Sequence, residues 1–149
     1  MTLDVMTAKI VALSISSRRG IKKRNVDWAL FIEDFGIQND AHAGKDDRQV
    51  SLLSMESIEK IRFTGFDVNP GDFAENITTQ GIDLLDLGIG DKLKMGNDVV
   101  LKISQIGKVC HAKCAIFQEL GDCIMPREGI FAKVLNGGIV TKEDMIERL

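Results

Sequence analysis

The spacing of glycines limits the length of any regular element in the second half of the chain. Glycine recurs at short intervals from Gly65 to Gly138. Short segments between regular turn residues are typical of β-sandwiches and β-barrels. We therefore expect a mainly β protein with a few short helices, of the α+β class.

The longest glycine-free interior stretch, 45–64, predicts a helix in its second half. Ser54 is suited to be the N-cap, Met55, Ile58 and Ile61 fall on one face, and Gly65 follows the end. This is the helix that the sequence supports best.

Alternating apolar and polar residues predict the strands. In 92–105 the alternation continues on both sides of Gly96-Asn97-Asp98, which indicates a hairpin. Ile130–Leu135 is a further strand candidate, and the tail Thr141–Leu149 fits either a short helix or a strand that follows Gly137–Val140. The main predicted strands are Lys9–Ser16, Trp28–Ile32, Gln49–Leu53, Asn76–Thr79, Lys92–Met95 and Val99–Gln105.

Size and charge exclude several classes of protein. The 149 residues fit a single domain, 1–149, and the net charge of −3 argues against a general nucleic-acid binder. No segment approaches the ~20 apolar residues of a membrane-spanning helix. Three cysteines cannot all pair within one chain, and the first residues do not resemble a signal peptide. We expect a cytoplasmic protein without a membrane or nucleic-acid partner.

The most concentrated chemistry lies in 110–123. All three cysteines and one of the two histidines, His111, fall between Cys110 and Cys123. Cys110 follows a predicted strand and precedes a predicted helix at Ala112–Leu120. The partial positive charge of a helix N-terminus favours the thiolate, which is both the nucleophile and the metal ligand. Cys110 is therefore the candidate reactive residue.

Two other interpretations of these cysteines remain open. Free cysteines are often small buried hydrophobes, which we prefer for Cys114. Alternatively, Cys110, Cys114 and Cys123 with His42 or His111 could bind a structural zinc ion. Zinc sites favour paired short spacings, and this pattern has only half of one. Either interpretation would make the chain a non-catalytic binding domain.

Several residues outside this segment could bind an anion. Arg48 ends a polar loop before an apolar strand, and Arg127 lies between Pro126 and Gly129. Glu75 and Asn76 begin a predicted strand, where they could bind a ligand or simply fix the turn. The basic run at 18–24 is either a solvated hairpin tip or a rim that attracts phosphate.

Three segments in this order closely resemble the MOSC domain, the C-terminal domain of molybdenum cofactor sulfurases, in its stand-alone bacterial form. They are AHAGKDDRQVSLLS, PGDFAENITTQGIDLLDLGIGDKLKMG and VVLKISQIGKVCH. The resemblance implies a MOSC-like β-barrel and a pocket for the molybdenum cofactor, a molybdopterin. It also implies that Cys110 either carries a persulfide sulfur or ligates molybdenum, and soft thiolates suit both roles.

The remaining site residues are assigned from their chemistry and placement. Arg48, Asn76 and Arg127 are candidates to hold the phosphate and polar edges of the cofactor, and His111 and Cys123 are candidate neighbours of Cys110. Larger relatives generate the sulfur in a pyridoxal-phosphate-dependent domain, which 149 residues cannot contain.

We therefore expect sulfurtransferase-like activity that depends on an external cysteine desulfurase. Pyridoxal phosphate is not expected in this chain, and the molybdenum cofactor would be held transiently. The expected partners are molybdoenzymes or cofactor-biosynthesis proteins. Reductase activity within a multi-component system is a third possibility.

Overall fold

The computed structural model describes residues 8–107 and 128–149, which form a mainly β protein with one α-helix. This confirms the predicted fold class. The strands are β1 (Ala8–Ile15), β2 (Arg24–Val26), β3 (Trp28–Ile32), β4 (Gly36–Ile37), β5 (Val50–Ser54), β6 (Ile77–Gln80), β7 (Lys92–Met95), β8 (Val99–Ile106), β9 (Ile130–Asn136), β10 (Gly138–Thr141) and β11 (Met145–Arg148), with helix α1 at Met55–Arg62 and a 3-10 turn at Leu84–Asp86.

Seven strands close into a barrel in the order β11-β7-β8-β9-β5-β6-β1. Closure comes from β1, whose Ala8 and Lys9 pair with Ile146 and Met145 of β11. The β5–β6 pair is parallel and is connected through α1, while the other barrel pairs are antiparallel. β2 pairs with the far end of β1, and β10, β3 and β4 form a separate small sheet.

The barrel interior is apolar. Fully buried side chains from successive strands meet there, and Leu84 and Leu87 from the 81–91 connection join them. Neighbouring residues of a strand face opposite sides, so Leu52 lies in the interior whereas Leu53 lies in a second cluster with Ile58 and Phe131. Helix α1 therefore covers part of the outside of the barrel.

Helix α1 begins as predicted. The Ser54 hydroxyl accepts a hydrogen bond from the Ser57 backbone N–H, at 3.0 Å, which satisfies one of the unpaired donors of the first turn. Within residues 8–107 and 128–149, no helix has the length and apolar character needed to cross a bilayer.

The tail is a strand, and the helical alternative is wrong. β11 pairs with β7 on one side and with β1 on the other. A turn precedes it, in which the Thr141 N–H donates to the Asp144 carboxylate at 2.9 Å. The predicted hairpin at 96–98 is confirmed, with Met95 opposite Val99.

Candidate functional site

A cleft of about 660 Å³ lies between two chain segments at the end of β1. One wall comes from residues 15–24, including Ser16, Lys22 and Arg24, and the other from residues 39–41, including Asp40. The basic run found in the sequence therefore borders a concave surface rather than an isolated loop.

A buried ion pair joins the two walls. The Lys23 ammonium donates to Asp40 Oδ1 at 2.8 Å and to Ser16 Oγ at 2.9 Å, and both charged side chains are fully buried. Asp40 also accepts from the backbone N–H groups of Ser16 and His42, both at 3.1 Å. Burial lowers the pKa of Lys23, while the hydrogen bond to Asp40 acts in the opposite direction.

The basic run divides into two kinds of residue. Arg18, Arg19, Lys22 and Arg24 are exposed, as a solvated tip requires, whereas Lys23 is buried. Of the exposed cations, Lys22 and Arg24 line the cleft. Basic side chains therefore border a concave surface, a common setting for the binding of anions.

Glu75 fixes a turn behind this wall. Its carboxylate is fully buried and accepts hydrogen bonds from the Gly71 N–H at 2.9 Å, the Phe73 N–H at 3.2 Å and the Thr78 hydroxyl at 2.8 Å. Burial raises the pKa of Glu75 to about 6, and these hydrogen bonds oppose the shift. Of the two roles considered from the sequence, fixing the turn is the one its contacts describe.

The same turn holds the cleft wall in place through Gly71. The Lys23 N–H donates to the Gly71 carbonyl at 2.8 Å. Gly71 has φ +95°, and a Cβ there would overlap the Lys23 carbonyl oxygen. A side chain at this position would therefore force the turn away from the segment that carries Lys22 and Arg24.

Asn76 is buried in a polar network between β1 and β5. Its amide donates to the Ser14 carbonyl at 3.0 Å, and its oxygen accepts from the Ser51 N–H at 2.9 Å and the Ser51 hydroxyl at 3.2 Å. These contacts cross-link the two segments. The assignment of Asn76 to the cofactor stays a prediction.

Arg48 lies exposed at the base of the 108–127 segment. Its guanidinium is 5.7 Å from the centre of the Phe131 ring, and its Nε donates to Gln105 Oε1 at 3.2 Å. Gln105 in turn donates to the Gly107 carbonyl at 2.8 Å, and the Gly107 N–H donates to the Gly129 carbonyl at 2.7 Å. Arg48 is thus placed where the chain leaves β8 and returns to β9.

A second cluster joins Glu128, just before β9, to helix α1. Glu128 accepts from the Ser57 hydroxyl at 2.6 Å and from the Lys60 ammonium at 3.0 Å. A cleft of about 330 Å³ lies beside it, between the start of α1 and residues 81–85. Arg48 therefore binds the end of β8 through Gln105, whereas Lys60 binds the residue before Gly129, Glu128.

The remaining predicted site residues, Cys110, His111, Cys123 and Arg127, lie outside the described residues, as does Cys114. The zinc interpretation depends on the same cysteines. Among residues 8–107 and 128–149 there is no group of three or more His, Cys, Asp or Glu side chains that could hold a metal ion.

The sequence did not reveal the Lys23–Asp40 pair. The basic run located the segment, but nothing in its pattern separates Lys23 from its exposed neighbours, because the partner lies 17 residues further along the chain. Only the fold brings the two together.

Comparison with solved structures shows the same fold in several bacterial proteins. YuaD from Bacillus subtilis has a TM-score of 0.80 and 21% identity, over 95% of this chain and 94% of that chain. YiiM from Geobacillus stearothermophilus has a TM-score of 0.73 and 19% identity, over 95% of this chain and 75% of that one. YiiM from Escherichia coli has a TM-score of 0.65 and 18% identity, over 95% of this chain and 69% of that one.

A search of curated proteins finds no match. The family model of the MOSC domain matches residues 39–147, which include Asp40, Arg48 and the turn that holds Glu75. This domain is associated with molybdenum-cofactor sulfurase function. The predicted resemblance is confirmed, and the chain belongs to the MOSC domain family.

Proposed function

We propose that this protein is a sulfur carrier that binds the molybdenum cofactor, with Cys110 as the reactive thiol. The observation that carries the binding part is the cleft bordered by Lys22 and Arg24 beside the buried Lys23–Asp40 pair. The carrier part rests on the membership of the family and on the chemistry of thiolates.

The cleft suits the cofactor in size and charge. A molybdopterin carries a phosphate, which binds well to Arg and Lys side chains. Lys22 and Arg24 offer such groups on the wall of a cleft of about 660 Å³, within the range of small-molecule sites. Arg48 adds a further cation at the base of 108–127.

In this proposal, different residues bind the ligand and hold the cleft in shape. Lys22 and Arg24 would hold the phosphate, the buried pair would keep the two walls at a fixed separation, and Arg48 would add a cation that attracts anionic ligands. The cofactor, when bound, supplies a molybdenum centre to which sulfur can be attached.

Sulfur loading needs only a thiol exchange. The Cys110 thiolate attacks the terminal sulfur of a persulfide on a cysteine desulfurase, a bond forms between the two sulfur atoms, and the bond to the donor cysteine breaks. The donor leaves as a thiolate and takes a proton from solvent, so no oxidant is needed. The reducing cytoplasm, where we place the protein, keeps the acceptor thiol free.

The test loads the purified protein with a cysteine desulfurase and L-cysteine and measures cyanide-releasable sulfur. We expect stoichiometric loading of the wild type and of Cys114→Ser, and loss of loading in Cys110→Ser. Retention of loading by Cys110→Ser would overturn the role of Cys110.

A second measurement tests the cofactor separately. Protein mixed with molybdenum cofactor is passed over a desalting column and assayed for bound pterin. The charge reversals Lys22→Glu and Arg24→Glu should reduce the pterin retained, whereas Lys92→Glu, an exposed lysine on β7, should not. Equal retention by all three variants would contradict binding in this cleft.

A further inference from the structure

Two phenylalanines lie exposed in the loop that follows helix α1. Phe63 is 91% exposed and Phe66 is 47% exposed. We call residues 63–67 the phenylalanine loop. Single exposed apolar side chains are common on proteins, whereas large neighbouring ones often mark an interaction surface. The loop is therefore a candidate for contact with another molecule.

The phenylalanine loop is held in shape by Arg62. Its guanidinium donates to the Val68 carbonyl at 2.8 Å and to Asn69 Oδ1 at 3.1 Å, so it joins the residues that flank the loop on both sides. The Gly65 N–H donates to the Arg62 carbonyl at 2.9 Å. Val68 itself is fully buried. Because the loop is already structured, docking it to a partner would cost little conformational entropy.

The unpaired charges around the loop are negative. Glu59, in the last turn of α1, and Asp67, in the loop, are exposed and form no ion pair with another residue of 8–107 or 128–149. The neighbouring cations are engaged, since Lys60 binds Glu128 and Arg62 binds the backbone beyond the loop. The exposed aromatic rings therefore have an acidic border.

This border selects among the possible partners. Negative charge is repelled by nucleic-acid phosphates and by an anionic lipid surface. A second copy of this chain would bring two acidic borders together, which like-charge repulsion opposes. The chemistry fits a different protein, with an apolar pocket that is bordered by Lys or Arg side chains.

The loop is close to the residue that follows the cysteine-bearing segment. Glu128 comes directly after 108–127 in the chain and accepts from the Ser57 hydroxyl at 2.6 Å. Phe63 follows Ser57 by six residues, or about 9 Å along a helix. An interface of standard size covers about 800 Å² of each partner, a patch about 30 Å across. A protein that binds the loop is therefore near enough to reach Glu128.

We propose that the phenylalanine loop docks the protein that donates sulfur, through an apolar pocket with a basic border on that protein. The inference rests on the proposed function, in which Cys110 receives its sulfur from a cysteine desulfurase. Docking adds no new chemical step. The terminal persulfide sulfur passes to Cys110 by the thiol exchange described above, and the loop raises the effective concentration of the donor.

The experiment compares a protein donor with a small donor. Loading of Cys110 is measured as cyanide-releasable sulfur over a range of concentrations of this protein, with the cysteine desulfurase of the source organism and L-cysteine, and separately with glutathione persulfide. Phe63→Ser should raise the KM for this protein in the desulfurase reaction by about tenfold or more, with kcat unchanged, because an aromatic anchor contributes binding. Its rate with glutathione persulfide should equal that of the wild type, since a small donor needs no docking.

Matched variants separate docking from a general loss of apolar surface or charge. Ile139→Ser removes a side chain that is 61% exposed on β10, in the small sheet, and should leave KM unchanged. Asp67→Lys should raise KM several-fold, whereas Glu33→Lys, which changes an exposed carboxylate between β3 and β4, should not. Circular dichroism checks that each variant is folded.

An unchanged KM in Phe63→Ser, or an equal rise in Ile139→Ser, would overturn this inference. So would an equal loss of rate with glutathione persulfide, because the loop would then support the fold rather than the donor. If neither donor loads the wild type, the proposed function fails and this inference fails with it. If both donors load the wild type and Phe63→Ser equally well, this inference alone is wrong.

Discussion

The barrel interior and the cleft wall are both buried, but they are built from opposite chemistry. The interior holds apolar side chains such as Leu93, Leu101 and Ile103, with no exposed surface. The cleft wall buries a lysine, Lys23, and a carboxylate, Asp40, and the turn behind the wall buries a second carboxylate, Glu75. Hydrophobic burial stabilises the barrel interior directly, whereas the cleft wall is stable only because each buried charge has hydrogen-bond or ion-pair partners.

This difference shows how the molecule separates stability from binding. The barrel tolerates changes that keep its volume, since apolar packing has no direction. The wall depends on specific donors and acceptors, because an unpaired buried charge costs far more than a lost contact. We therefore expect the removal of a single polar side chain to destabilise the cleft wall more than a volume-conserving apolar substitution destabilises the barrel.

The largest loss of stability is expected when the buried Lys23–Asp40 pair of the cleft wall is broken. Asp40→Ala leaves the buried Lys23 ammonium and two backbone N–H groups without their acceptor, and should lower the free energy of unfolding by about 4 kcal/mol. Urea denaturation followed by circular dichroism measures this change. Asp46→Ala, which removes an exposed partner of Arg19 at 3.6 Å and an exposed acceptor of the Arg48 N–H at 2.7 Å, should cost about 1 kcal/mol. Equal losses in the two variants would refute the role of the buried pair.

A smaller loss of unfolding free energy is expected from a substitution in the barrel interior. Leu101→Ala opens a cavity at a fully buried position and should cost about 3 kcal/mol. It should leave phosphate binding by the folded protein unchanged, because Leu101 lies outside the cleft. Thermal denaturation measures the change in stability, and calorimetric titration measures the affinity for phosphate. Loss of phosphate binding in folded Leu101→Ala would show that the two regions are not separate.

The smallest effect is a dependence of stability on pH. The folded-state pKa of Glu75, about 6, lies above its ordinary value of 4.5, so its stabilising contribution is fully present below pH 4.5 and is lost as the pH rises through 6. At ~1.4 kcal/mol per pH unit the loss amounts to about 2 kcal/mol.

Glu75→Gln should remove this slope, as measured by urea denaturation between pH 4 and pH 8. Asp72→Asn, which changes a carboxylate of the same turn that accepts from the Asn69 N–H at 2.8 Å, should keep it. A wild-type slope in Glu75→Gln would mean that another group titrates.

Local features were predictable from the sequence and distant pairings were not. Trp28–Ile32 and Lys92–Met95 have the predicted bounds, and Ser54 caps α1, because alternation and capping depend on neighbouring residues. The tail at 141–149 has a helical charge pattern, yet β11 is a strand because it pairs with β7 and β1, which are remote in the chain.

In the candidate site, too, features set by neighbouring residues were predictable and contacts between distant residues were not. The loop made Arg48 a candidate anion-binding residue, which stays a prediction, but its hydrogen bond to Gln105 depends on the fold. The cleft itself joins residues 15–24 to residues 39–41, and no local pattern indicates that these two segments meet.

The pairing of Ala8 and Lys9 with β11 sets an order of events for the newly made chain. β1 is the first described strand to be synthesised and β11 the last, so the barrel stays open until all of its other strands have been made. During that interval the start of β1 is an unpaired edge, which can join a strand of another molecule. Truncation before Met145 would make this state permanent and should promote aggregation.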